Sequence, residues 1–364
     1  MICLDLAMAA GWLLRNSGSA GLAAGEWLAL GWTAAVSISA LGGAIVSFEA
    51  LLFSLLPVPL FWGVARGLIS ANRLATAVWL GSLGESAVVL LQYCGWDPLR
   101  WLGWQPESFA SPRMRVYGTM GNPDFVAAWC CATLPFCWRE LARGGRSRPA
   151  QVVRWVAAAL QVAAILATGS RVFALIVPLQ AAMLAIYWKR VRRTWLLALP
   201  AAAALLYLAP TRPLAATIEG RLYLAQVAAS HWRQTPVMGY GPGSFEAQFA
   251  QWQAEWLQGH PQDPRAARFA GAVDHAHNDY LEFLVEHGPL GLGAFLGLAG
   301  WIAARAWRGL AQPLGAGGAA AIGAASLLAL AAVDFPFHRP AEWGLFWLFA
   351  GVLTARQHTN TQGA

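Results

Sequence analysis

Ten stretches of this 364-residue chain stay apolar for roughly 15 to 20 residues at a time, and no other feature restricts its fold as strongly. They cover 27–46, 48–65, 74–93, 125–141, 152–168, 172–188, 194–209, 290–307, 316–333 and 341–355. A hydrocarbon layer about 30 Å thick is crossed by ~20 apolar helical residues. Inside lipid only helices and closed barrels satisfy their own backbone, and these runs are continuous, with no period-two alternation. The sequence therefore predicts an all-α integral membrane protein, a polytopic bundle of about 10–11 transmembrane helices. The eleventh would be residues 4–14, a shorter run that stops at Arg15-Asn16 and shows no pattern of a cleaved signal. Composition agrees: 57% of residues are hydrophobic and 12% charged, about half the charged share of a soluble domain. The chain reads as a single membrane domain over 1–364, with residues 210–288 forming one long loop within it.

The basic residues set the orientation. Alternating the ten spans puts 15 of the 25 Lys and Arg, from Arg15 through Arg66, Arg73, Arg139 and Arg190 to Arg356, in short loops on one side. That side is expected to be cytoplasmic. The loops 95–122, 169–171, 210–288 and 334–340 then face outward. The net charge of +7 follows from contact with anionic inner-leaflet lipid, so no nucleic-acid partner is implied. Five cysteines without CxxC or zinc spacing give no metal framework.

The long outward loop ends in His275-Ala-His277-Asn278-Asp279-Tyr280-Leu281-Glu282, closed by Glu286-His287-Gly288-Pro289. Titratable residues at a membrane boundary mark a functional site by default. Asp279-x-x-Glu282 has capping-box spacing, and Gly288-Pro289 suits the end of one helix and the start of the next. A short helix is thus expected between them, with His277 just ahead of its positive end, where a neutral imidazole and an anion are both favoured. Three readings of the motif stay open: a structural cap, a metal site on His275, His277 and Asp279, or a base or anion-handling histidine. The metal reading requires an extended segment, whereas Asp279 starts a helix, and no further ligand cluster stands out on the outer side. The expected metal set is therefore none.

Arg171 occupies the shortest outward turn, and Arg221 lies in the long loop. Singly each reads as a helix-end or surface cation; together with a histidine on the same face they suggest a site for a phosphate-bearing lipid, since arginine stays charged and grips phosphate bidentately. Asp334-Phe-Pro-Phe-His338-Arg339 forms another outward turn, in which Arg339 is the nearest partner for Asp334. Phe245, Phe249, Trp252 and Trp256 recur at helical spacing, which fits either an interfacial helix or one packed on the rest of the loop. Gly239-Tyr-Gly241-Pro-Gly243 follows no strand, so it reads as a tight turn and not as a phosphate cradle.

At these residues the chain resembles the O-antigen ligase and Wzy-type polymerase superfamily of bacterial membrane glycosyltransferases. His277-Asn278, nine residues, Gly288, two residues and Gly291 fit the family's His-Asn/Ser/Gln-x9-Gly-x2-Gly/Thr/Tyr motif, and Arg171-x3-Leu175 fits its Arg-x3-Leu motif. Gly118-Thr-Met-Gly-Asn122-Pro123, preceded by Arg115, Pro236-Val-Met-Gly-Tyr-Gly and Asp334-Phe-Pro-Phe-His338 follow in the family's order. The resemblance implies a GT-C-like fold and a bacterial inner (plasma) membrane protein whose active site faces the periplasm. It also implies a metal-independent reaction, without cofactor, on a glycan donor linked to undecaprenyl diphosphate. The acceptor would be a glycolipid such as lipid A-core, a growing glycan or a protein hydroxyl, with O-antigen ligase the leading expectation. Polymerase, protein O-oligosaccharyltransferase and, in another class, an anion (bicarbonate-like) transporter are the alternatives, and a non-catalytic assembly subunit is a further one. On this reading His277 is the base and Arg171 and Arg221 hold the diphosphate. Asn278, Asp279, His275, Arg115, Asn122, Asp334 and His338 support them.

Overall fold

The computed structural model describes residues 22–103, 116–143, 147–188, 214–234, 237–309 and 313–355, and the side chains within them except 172–175, 185–188, 214–216 and 267. Arg115, the run 194–209 and the possible span 4–14 lie outside the described residues. The described elements are all helical. Apart from three short turns of helix (Pro98–Leu102, Ala266–Phe269 and Pro336–His338), they are α1 (Ala24–Gly42), α2 (Phe48–Leu55), α3 (Val58–Ala65), α4 (Ala71–Tyr93), α5 (Pro123–Ala142), α6 (Arg148–Ala167), α7 (Val172–Trp188), α8 (Leu214–Trp232), α9 (Ser244–Gly259), α10 (Asp279–Gly309), α11 (Ala316–Ala331) and α12 (Pro340–Thr354). The protein is a polytopic helical membrane protein. Four stretches are long and apolar enough to cross a bilayer by themselves: Phe48–Ala65, which is α2 and α3 in succession, then α4, α6 and α10. Val152, Val153, Trp155, Val156 and Leu160 of α6 stand exposed, as side chains facing lipid do. The other apolar runs within the described residues also fall on helices, with α11 and α12 shorter than a full span.

The core is organised around α11, which packs on α5, α7, α10 and α12. Its sequence of alanines and glycines leaves almost no side chain between backbones, the usual device for close helix contact in lipid. A Cβ on Gly323 would stand 2.5 Å from the Ala132 carbonyl oxygen and 2.7 Å from the Phe349 ring. Pro135 inside α5 has no N–H for the Cys131 carbonyl one turn back. Gln180 of α7 replaces it, donating Nε2–H to Cys131 O at 2.6 Å and to Ser326 Oγ at 2.9 Å. Gln161 of α6 likewise donates to Cys130 O at 2.9 Å. Neighbouring helices thus repair the proline break, as a dry interior demands.

The long loop has a core of its own. Phe245, Phe249 and Trp252 of α9 bury against Tyr223, Leu224, Val227 and Ala228 of α8. The amphipathic face of α9 is therefore spent within the protein, which decides between the two readings of that helix. The turn 237–243 joins this small core to the membrane helices. Tyr240 N–H and Gly241 N–H donate to the carbonyls of Val285 and Glu286, both at 2.9 Å. The Tyr240 and Pro242 carbonyls accept from Ile45 N–H (3.0 Å) and Ser47 N–H (2.9 Å). These backbone groups are used up in holding loop to bundle.

Gly288 breaks α10 at φ 66°, ψ −173°, so residues 279–287 form a short helix that turns sharply into the span beginning at Pro289. A Cβ there would meet Val237 O at 2.2 Å. Gly288→Ala is therefore expected to destabilise the fold by at least ~1–3 kcal/mol, combining a left-handed backbone with a backbone clash. The unfolding midpoint in detergent measures this; an unchanged midpoint would contradict the packing described.

Candidate active site

Three helices bring their ends to one rim of the bundle. The Gln180 contacts fix α5, α7 and α11 at a common level. From that level α5 leads back to Asp124, α7 leads back to Arg171, and α11 leads forward to Ala332, each within about 9–14 Å at 1.5 Å per residue. Asn278 hooks the histidine motif onto this rim by donating Nδ2–H to Ala332 O at 3.1 Å. Its Oδ1 accepts from Leu281 N–H at 3.0 Å, so Asn278 caps α10. The cap expected at Asp279 thus sits one residue earlier. Asp279 is fully buried and engaged elsewhere: its carboxylate accepts from Phe337 N–H (2.9 Å) and pairs with His338 Nδ1 (2.6 Å). Glu282 reaches back past the cap to Ala276 N–H at 2.8 Å.

His277 follows a different path from its neighbours. It is the one non-glycine residue with positive φ, 51°, among the described residues, a conformation that costs roughly 1–3 kcal/mol and concentrates at functional sites. Its side chain is 40% exposed, and Nδ1 lies 3.6 Å from Asp334 Oδ1. The Phe335 ring stands edge-on at 5.0 Å. Asp334 is itself held by Arg339, whose guanidinium lies over Phe125 at 3.9 Å and Phe335 at 4.5 Å. Burial pushes the Asp334 carboxyl up, but His277 and Arg339 outweigh burial and hold it below its ordinary range. A carboxyl depressed in the fold adds stability that is complete above its ordinary pKa and is lost only as pH falls through the depressed value. The stability difference between wild type and Asp334→Asn is accordingly expected to stay constant from pH 7 to 5 and to shrink only below the ordinary 3.8. Thermal unfolding of both proteins across that range checks it; a difference that disappears between pH 7 and 5 would refute the pairing.

Arg221, on α8, lies within the electrostatic reach of Asp334 and Asp124. Burial lowers its pKa, while the charges of Asp334 and Asp124 act against that shift. Among the described residues none hydrogen-bonds to its guanidinium. Arg171 is partly buried at the start of α7, on the rim already described. Asn122 caps α5, its Oδ1 accepting from Asp124 N–H at 2.8 Å. The segment before it is tied to α4: Gln92 Oε1 accepts from Tyr117 N–H (3.1 Å) and Gly118 N–H (2.8 Å), and Glu85 accepts from Thr119 N–H (2.9 Å) and Oγ1–H (2.6 Å).

The remaining polar residues form a second cluster. His275 Nδ1 lies 2.8 Å from Glu282 Oε1, and His338 Nε2 lies 3.3 Å from the same oxygen. Burial disfavours a charged His338, but the carboxylates of Glu282, Asp279 and Glu286 prevail and raise it to about 10. His275, His277 and Asp279 therefore do not act as one ligand set. Their side chains divide between Asp334 on one side and the Glu282–His338 cluster on the other. Asp124, whose charge acts on Arg221, and Glu282, shared by two imidazoles, join the candidate site; from the sequence Glu282 had only a capping-box position and Asp124 no role. The only signal for Asp124 is its place directly after Asn122-Pro123.

Residues 156–296 match the family model described as O-Antigen ligase. Among curated proteins none matches the chain. The matched segment runs from α6 into the span after Gly288 and takes in Arg171, Arg221 and His277, whereas Asn122, Asp334 and His338 lie outside it. Members of that family are membrane glycosyltransferases and ligases that act on lipid-linked glycans. That segment carries the His277-Asn278, Gly288 and Gly291 motif together with Arg171 and Leu175, so over residues 156–296 the chain is similar to the O-antigen ligase family.

Proposed function

We propose that this protein moves a glycan from undecaprenyl diphosphate to an acceptor hydroxyl at the periplasmic face of the bacterial inner membrane, most directly as an O-antigen ligase acting on lipid A-core. The observation that carries this reading is His277, strained in its backbone and set beside Asp334, a carboxylate whose charge also acts on Arg221, a cation that no described side chain hydrogen-bonds. With Nδ1 turned to Asp334, the other ring nitrogen is the one left to accept a proton, the geometry of a positioned base. In the reaction, His277 Nε2 takes the proton of the acceptor hydroxyl. The acceptor oxygen bonds to the anomeric carbon as the bond from that carbon to the diphosphate oxygen breaks. Undecaprenyl diphosphate leaves as an anion. Arg221 and Arg171 stabilise the charge that develops on it, and such preorganised electrostatics commonly supplies the largest part of a rate enhancement. Asp334 positions His277 and draws Arg221 toward it.

Two outcomes are expected of Asp334→Asn beyond its effect on stability: transfer falls on the order of 10²-fold, since a misoriented base forfeits most of its advantage, while donor affinity holds. Transfer kinetics with varied donor separate the two effects, and a variant with wild-type kcat would remove Asp334 from the mechanism. The function itself is tested by the surface and lipid-linked glycans of a deletion strain complemented with wild type or His277→Ala. Loss of polymer from its acceptor, accumulation of undecaprenyl-linked glycan and rescue by wild type alone support transfer. Long accumulated chains identify a ligase and single repeat units a polymerase. An unchanged profile would contradict both.

A further inference from the structure

We propose that His275, Glu282 and His338 form a zinc site that clamps the loop before α10 to the turn before α12, beside the transfer site and separate from it. One ligand atom from each of the three lies within 4.8 Å of the other two. Glu282 Oε1 is 2.8 Å from His275 Nδ1 and 3.3 Å from His338 Nε2. In a tetrahedral shell with bonds of ~2.0–2.1 Å, neighbouring ligand atoms stand about 3.3 Å apart. The His338 edge matches that spacing, the His275 edge is about 0.5 Å shorter, and side-chain rotation adjusts the three ligand atoms on binding.

The surrounding contacts are those a metal site uses to aim its ligands. The second nitrogen of His338, Nδ1, is turned to Asp279 Oδ1 at 2.6 Å, and the other oxygen of Asp279 is fixed by Phe337 N–H at 2.9 Å. A ligating imidazole whose second N–H meets a carboxylate is a recurrent arrangement around zinc. Glu282 Oε2 accepts from Ala276 N–H at 2.8 Å, which leaves Oε1 facing the two rings. Phe335 stacks on His275 at 4.4 Å and restricts its rotation. Glu282 is buried, whereas the two imidazoles are partly exposed, so an ion reaches the site from solvent and water completes the shell. Two imidazoles with one carboxylate suit zinc, while calcium and magnesium prefer shells of oxygen. His277 is turned to Asp334 and is not a ligand, so this inference stands apart from the transferase reading.

The test uses the full chain purified in detergent without a polyhistidine tag, stripped with chelator, incubated with zinc chloride and passed over gel filtration before metal analysis. About one zinc per chain is expected, with an unfolding midpoint raised by roughly 3 °C at a hundredfold excess over Kd. Glu282→Gln and His275→Ala both lose the zinc, and His260→Ala, an exposed histidine elsewhere, keeps it. The His275 ring is partly exposed, so that variant folds even where Glu282→Gln does not. A wild type that retains no zinc, or a His275→Ala chain that retains the wild-type amount, overturns the proposal. Glycan transfer is assayed separately on the stripped protein, so loss of transfer and absence of zinc are read as distinct failures.

Discussion

His277→Ala is expected to reduce glycan transfer by ~10²–10⁴-fold at matched membrane abundance, the usual consequence of removing a positioned base. The fold should tolerate the change. His277 makes no hydrogen bond that holds an element in place, its side chain is 40% exposed, and the cap of α10 belongs to Asn278. Alanine still has to occupy φ 51°, so part of any loss reflects a loop that relaxes from the left-handed region. His277→Asn separates the two effects, because asparagine accepts that conformation more readily but is no base. Equal loss in both variants assigns the effect to the imidazole. Recovery in His277→Asn would assign it to the backbone and remove the base from the mechanism. The initial rate of transfer with saturating donor decides between them.

Arg221→Ala carries the second large effect, a loss on the order of 10²–10³-fold in turnover, as found when one preorganised donor to a developing anion is removed. Arg221→Lys restores only part of it: the charge returns, but the planar fork that grips two phosphate oxygens does not. Arg221 feels the charges of Asp334 and Asp124 but has no hydrogen-bond partner among the described residues, a costly arrangement for a partly buried cation unless an anionic ligand shares it. Full activity in Arg221→Ala, or full rescue by lysine, would mean that the leaving diphosphate is neutralised elsewhere.

Much of the candidate site's local geometry was legible because its signals are local. Gly288 and Gly291 sit where the chain needs them, one at a positive-φ break and the other where a Cβ would meet the His287 side chain at 2.1 Å. His277 stands ahead of the helix that the cap and breaker residues mark out. The misplaced cap shows where local reasoning ends. Asn278 and Asp279 are both good caps, and the choice falls to Asn278 because His338, 59 residues onward, claims Asp279. The Glu282 cluster was hidden for the same reason: its second imidazole comes from a different turn of the chain. The face of α9 could have met lipid or protein equally well by periodicity. Only the position of Tyr223 and Val227 on α8 decides it. Within the described residues the apolar runs fall on helices, but they did not reveal that α11 and α12 are shorter than a bilayer and pack on each other.

Purified protein given undecaprenyl-diphosphate-linked glycan and lipid A-core tests the central claim most directly, with wild type and His277→Ala compared in the presence of EDTA. The account predicts glycan joined to the acceptor and undecaprenyl diphosphate released in equal amounts by the wild type, undiminished by the chelator, and turnover at least ~10²-fold lower in the variant. Transfer at the wild-type rate by His277→Ala would contradict it, as would wild-type transfer that stops in EDTA and returns with added metal.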